Sequence, residues 1–149
     1  MNKFQKRVIF KAAVVVLVTI FFVVGMTEFR NVVNRSEAMR AMEDLGQKIL
    51  SYRKEHGTIP PQNYLNEIRK TLPGYARLGE LHYRARWIGF EADDKAIVAY
   101  VPKGYNSLLT GAGAIFITLD GQVQWIDKSE FQSLLDKQQS ELEKELQIP

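Results

Sequence analysis

The sequence predicts an α+β fold. A long N-terminal helix, transmembrane and then amphipathic, packs on a small antiparallel sheet of about four strands, with a C-terminal helix. Three observations predict it. Residues 8–56 contain no helix breaker beyond the tolerable Gly25 and Gly46. Residues 81–126 hold short β-rich runs separated by turn residues, and after Asp127 the apolar spacing returns to threes and fours.

The first segment, Val8 to Thr27, carries one charge, Lys11, and Ala12 to Met26 carries none. About 20 apolar residues at about 1.5 Å each span a bilayer core. Lys11 lies within a turn of the start, where its amine can reach the headgroups. Lys3, Lys6, Arg7 and Lys11 precede or open the core, and no acidic residue accompanies them. The positive-inside rule puts that end in the cytoplasm and the rest outside it. The division is residues 1–27, a cytoplasmic basic stub and transmembrane anchor, and residues 28–149, an extracytoplasmic domain. A cleaved signal peptide is the competing reading, with Val23-Val24-Gly25 as the small-residue site, although no Ala-x-Ala is present.

From Glu28 to His56 the pattern stays helical. Val32, Met39, Met42, Leu45, Ile49 and Tyr52 form one apolar stripe, and Arg35, Glu43, Lys54 and Glu55 lie opposite. Gly57 supplies the C-terminal cap, and Pro60-Pro61 forbid continuation. Asn63 is expected to cap a short helix, Tyr64 to Leu72, ended by Pro73-Gly74.

The period then changes to two. Leu81 to Phe90 alternates, with Tyr83, Ala85 and Trp87 on one face and His82, Arg84 and Arg86 on the other. Glu91 to Lys95 is a polar turn, and Ala96 to Val101 a strand closed by Pro102. Lys103 to Gly113 is a loop with three glycines. Ala114 to Leu119 is the most apolar strand outside the anchor, expected to be central. Asp120-Gly121 predicts a two-residue hairpin leading into Gln122–Ile126. Asp127 and Glu130 form a capping box for a last helix reaching about Gln147. Phe131, Leu134, Leu135, Leu142 and Leu146 are its stripe, and its polar distal end is expected to project or fray.

Charge and composition narrow the function. The chain carries net charge +3, yet its first 27 residues alone carry +4, which leaves the domain slightly acidic. A nucleic-acid binder shows a basic face on its domain, so none is expected as a partner. With no cysteine there is no disulfide, no thiolate metal site, no cysteine nucleophile and no lipoprotein anchor.

The layout resembles the type IV pilin and type II secretion pseudopilin family. Besides the membrane helix that runs on as an amphipathic one, two stretches carry the resemblance. Ile49-Leu50-Ser51-Tyr52-Arg53-Lys54-Glu55-His56-Gly57-Thr58-Ile59-Pro60-Pro61 is similar to the close of the long helix in pseudopilins. Thr110 to Val123 is similar to the C-terminal signature of prepilin-like proteins, a His followed by nine residues and then Asp-Gly, with Thr110 standing at the His. The prepilin leader is lacking: no Gly precedes a Phe-Thr-Leu run, and Lys11 stands where the family's Glu would be sought. The resemblance implies a non-enzymatic single-pass inner-membrane protein with a pseudopilin-like periplasmic domain. Such a protein is a structural or interaction component of a type II secretion or type IV pilus-like system. Its partners would be membrane lipid through residues 8–27 and other pilin-like or secretion-apparatus subunits.

Val32, Met39 and Met42 are the candidate partner-binding residues, if they face a partner and not their own domain. No catalytic, cofactor-binding or metal-ligating set is expected. His56 and His82 are the only histidines and have no companion ligands at suitable spacing. Glu91, Asp93 and Asp94 suit a solvated turn better than a calcium loop. Gly111-Ala112-Gly113 lacks the helix and Lys-Ser/Thr of a phosphate cradle, and Ser107 and Ser129 lack a nucleophile frame. Arg77, Arg84 and Arg86 with Tyr75, Tyr83 and Trp87 are expected to be a solvated strand face with core aromatics behind it. Trp125 is expected to pack. The alternative function is an anchored or secreted periplasmic ligand-binding or sensing module, its site in the Lys103–Gly113 loop.

Overall fold

The computed structural model describes residues 2–89, 92–105 and 111–146. The expected α+β architecture is present. Helix α1 (Lys3–His56) is unbroken, and a four-stranded antiparallel sheet in the order β1-β2-β3-β4 packs against its C-terminal half. The strands are β1 (His82–Tyr83), β2 (Ile97–Lys103), β3 (Gly113–Thr118) and β4 (Val123–Asp127). Short helices α2 (Gln62–Thr71) and α3 (Tyr75–Leu78) link α1 to the sheet, and α4 (Lys128–Gln138) and α5 (Glu141–Leu146) follow it.

Helix α1 ends where its sequence demands. Gly57 adopts φ 71°, and its N–H bonds the Arg53 carbonyl at 2.8 Å. Only the second half of α1 buries side chains: Ala38, Ala41, Met42, Leu45, Gly46 and Ile49. The small residues set the approach distance. A Cβ on Gly46 would strike Ile117 Cδ1, so glycine there lets the helix lie close on β3.

The sheet has two covered faces. Ala99, Val101, Ile115 and Ile117 face α1, with Leu65, Leu72 and Leu78 from the linking helices. Ile97, Tyr100, Ala114 and Phe116 face α4 through Phe131 and Leu135. An irregular register between Ile97 and Ala99 explains why Val98 and Ala99 both join the α1 side. Strands β2 and β3 are both internal, and every residue of β3 is buried, as its composition predicts.

Helix α1 runs antiparallel to β4. Arg35 lies over the Trp125 ring at 5.3 Å, whereas Leu50 reaches Gly121. The end of the sheet holding Lys103, Gly113 and Asp127 therefore faces the N-terminal half of α1, and the β3–β4 hairpin faces away.

Several expectations are corrected. Asn63 is not a cap: α2 starts at Gln62 after Pro61, with no side-chain capping bond. The strand expected over residues 81–90 lasts two residues, because Arg84 turns the chain and its carbonyl accepts the Trp87 N–H at 2.8 Å. Pro102 does not close β2; it pairs with Ala114, and the strand runs on to Lys103. The hairpin loop is three residues, Leu119-Asp120-Gly121, closed by Gly121 N–H to Thr118 O at 2.9 Å and Thr118 N–H to Gln122 O at 3.0 Å. Only Gly121, at φ 85°, uses the left-handed region, which is the glycine-bulge form of the turn. Asp127 stands at the N-cap of α4 but makes no capping bond. The last helix breaks at Gln139-Ser140, and its second part folds back instead of projecting. Phe90, Glu91 and residues 106–110, including Ser107 and Thr110, lie outside the described residues, as does the expected helix end at Gln147.

Candidate functional site: the uncovered half of the long helix

The largest feature without a partner in the described residues is the N-terminal half of α1. It is long and apolar enough to cross a membrane, and nothing in the domain covers it. Phe21 is 75 % exposed, Phe22 69 % and Phe29 71 %. Residues apolar all round a helix suit a lipid solvent, since water penalises that surface. The polar atoms within the segment are spent internally. Thr19 Oγ1 donates to Val15 O at 2.9 Å and Thr27 Oγ1 to Val23 O at 3.0 Å. The helix is unbroken from Lys3 to His56, so its backbone pairs internally, as a bilayer core demands.

The predicted partner-binding trio divides along this helix. Val32 is 48 % exposed and belongs to the uncovered half. Met39 is partly buried against the core. Met42 is wholly inside the domain's own core, so it offers no surface to a partner. The stripe that sequence periodicity treats as one face thus serves two purposes, and the changeover falls between Val32 and Ala38. Phe29 and Val33, missed by that stripe, are exposed beside Val32. Their spacing of four was present in the sequence but obscured by the apolar run before it.

On the basic-aromatic face Arg77 and Arg86 are exposed as expected, and Arg84 is the correction. Arg84 is 2 % exposed, and its guanidinium is fully engaged. Nε bonds Glu143 Oε1 at 2.6 Å, and Nη2 bonds Glu143 Oε2 at 2.9 Å and Gln138 O at 3.0 Å. Nη1 bonds Ile97 O at 2.9 Å. Glu143 itself is 0 % exposed. Gln138 completes the cluster by accepting the Ile97 N–H on Oε1 at 2.8 Å. A bidentate pair so enclosed locks α5 to β2, and it leaves no donor for a ligand. Sequence periodicity has no means of pairing residues 59 positions apart, and it scored Arg84 by its neighbours Arg86 and His82.

Five other titratable groups also make contacts within the fold. Tyr83 donates to Pro60 O at 2.7 Å, and burial holds its phenol well above the ordinary value of 10.0. Lys103 donates to the carbonyls of Arg77 and Leu78, and burial lowers its amine from 10.5. Asp120 is held below 3.8, first by the Thr118 hydroxyl. His56 stacks on Tyr52 and His82 on Tyr100. Among the described residues no group of His, Asp and Glu could hold a metal ion.

One groove adjoins the loop that the sequence offers as a ligand site. It has a volume of about 370 Å³ and is lined by His82, Tyr100, Lys103, Lys128 and Phe131 among others. No carboxylate lines it, so it lacks an acid/base pair. Loop residues 106–110 lie outside the described residues.

No family model, curated protein or solved structure matches the chain.

Proposed function

We propose that the chain is a non-enzymatic, single-pass membrane protein. Its N-terminus is cytoplasmic, and its extracytoplasmic pseudopilin-like domain is a structural or interaction component of a type II secretion or type IV pilus-like system. The observation that carries this reading is the division of α1. One rigid helix supplies an uncovered apolar half and a half that forms the core of a small sheet domain. Exposed Phe29, Val32 and Val33 extend the apolar surface beyond the span, and that stretch is where a neighbouring membrane subunit would meet the chain.

Two measurements test it. The intact mass of protein purified from its own cells' membranes gives about 17.1 kDa if the anchor is retained. A mass short of the apolar segment counts against it. A photo-crosslinker at Val32 in the full chain yields adducts with membrane proteins that Val32→Glu abolishes. A crosslinker that reacts only with lipid and water removes the partner half of the proposal. The groove beside Lys103 supports a second reading, an anchored binding module, which predicts a rise in Tm with a small ligand.

A further inference from the structure

The anchor-facing end of the domain is chemically unlike the rest of it. Trp125 is half-buried, with Arg35 over one face and Tyr105 at 5.9 Å between ring centroids. Tyr75, 44 % exposed, opens α3, whose preceding Gly74 lies against Glu37 and Ala41 of α1. Arg77 pairs with Glu37 at 3.1 Å, and Lys103 reaches the α3 carbonyls. Lys128 starts α4 at the same end, its N–H on Ala112 O at 3.0 Å.

We infer that this end of the domain rests in the headgroup layer of the bilayer that α1 spans, with Tyr75, Tyr105 and Trp125 as interfacial aromatics. The inference rests on the reading of α1 as a membrane span. Distance argues for it first. Thr27 to Arg35 is eight residues of continuous helix, about 12 Å. The headgroup layer fills about 5–8 Å of that on each side of the apolar core. A rigid stalk of that length leaves no room for another protein layer beneath the sheet, and a modest tilt closes the rest.

Chemistry argues for it second. Tyr and Trp rings with polar tips, flanked by Arg and Lys, are the side chains that settle at a membrane–water boundary. Charge at this end is nearly balanced: Arg30, Arg35, Arg77, Lys103 and Lys128 stand against Glu28, Glu37, Asp127 and Glu130. That suits a zwitterionic headgroup layer and requires no anionic lipid. The opposite end is different. Asp94 meets Arg53 there, and α5 presents exposed Glu141 and Glu145.

The chain carries its own ruler, because its two tryptophans lie at opposite ends. Trp125 is on the anchor side, and Trp87 lines a shallow recess with Asp93, Lys95 and Gln138 on the far side. The full chain is reconstituted into phosphatidylcholine vesicles containing a headgroup-nitroxide lipid. Trp87→Phe then reports Trp125 alone, and Trp125→Phe reports Trp87 alone. Trp125 is quenched roughly twofold or more beyond Trp87 if it sits at the interface. Seven helix-forming residues inserted between Arg30 and Asn31 lift the domain by about 10 Å and keep its facing, so the excess quenching disappears. Equal quenching of the two tryptophans, or quenching that survives the insertion, overturns the inference. Vesicle flotation separates the two levels. A chain that fails to float sinks the anchor reading and this inference together. A chain that floats with Trp125 unquenched sinks this inference alone and leaves that end to a protein partner.

Discussion

The N-terminal half of α1 and the short helix α5 both turn large apolar side chains outward, for opposite reasons. In α1 the exposed residues go all the way round, from Val14 to Val23, and no face is left for water. In α5 Leu142 is 64 % exposed and Leu146 73 %, while Glu143 between them is fully buried. One buried carboxylate, bound bidentately by Arg84, turns a six-residue helix so that its leucines face outward. Exposure of an apolar residue therefore means a change of solvent only when the opposite face is apolar too. When the opposite face holds a paired charge, exposure is the cost of that pairing.

That contrast predicts its largest effect at Glu143. Glu143→Ala leaves the Arg84 guanidinium buried without its counter-charge and is expected to cost about 3–5 kcal/mol. The urea midpoint of the full chain in detergent measures it. A double replacement, Arg84→Met with Glu143→Leu, is expected to recover most of the loss, because a packed apolar pair has no charge to desolvate. If the double variant is as unstable as the single one, the ion pair does more than neutralise itself.

The same substitution at the two exposed surfaces sharpens the difference. Leu17→Arg places a cation at the middle of the span and costs about 2.5–3.5 kcal/mol of insertion, measured as the fraction resisting carbonate extraction. Leu142→Arg, on a surface facing water, changes stability by no more than about 0.5 kcal/mol. Equal effects would mean that the two surfaces share one solvent.

A third substitution addresses the covered half of α1. Gly46→Ala drives a methyl into Ile117 and is expected to destabilise by about 1–3 kcal/mol, with membrane association unchanged. Thermal unfolding and extraction, run side by side, separate the two halves of the helix.

The smallest effect contrasts a surface carboxylate with Glu143. The folded state holds Asp120 below its ordinary 3.8 through the Thr118 hydroxyl, so between those two values the unfolded chain binds more protons. Its contribution is present above 3.8 and fades as pH falls through the lowered value. Asp120→Asn is expected to lower stability slightly at neutral pH, to change it least at the acid end, and so to flatten the acid limb of the stability curve. An unaltered acid limb would remove the Thr118 hydroxyl from the account.

What the sequence made legible follows the range of each interaction. The unbroken α1, its stop at Gly57, and strands β3 and β4 rest on patterns a few residues long, and they stand within a residue of where those patterns put them, whereas β2 runs past the stop expected at Pro102. The hairpin was legible in place but not in kind, because Asp120-Gly121 suits both a two-residue turn and a glycine bulge. The strand at residues 81–90 and the final helix failed for one shared reason. Arg84 and Glu143 bind each other across 59 positions, and the chain turns beside each of them where local patterns register nothing. Of the candidate site, the long apolar half of α1 was legible from composition. The division of Val32, Met39 and Met42 was not, because periodicity shows that a helix has an apolar face but not where along its length the cover begins.

The separation of Arg84 from Glu143 also has a consequence in time. Chains are made at about 5–20 residues per second, so Arg84 waits about 3–12 s for its counter-charge. Throughout that interval the guanidinium lacks the carboxylate that neutralises it in the finished domain. The apolar half of α1 has by then already been made. The apolar half of α1 is thus complete well before the ion pair that fastens α5 to the sheet can form.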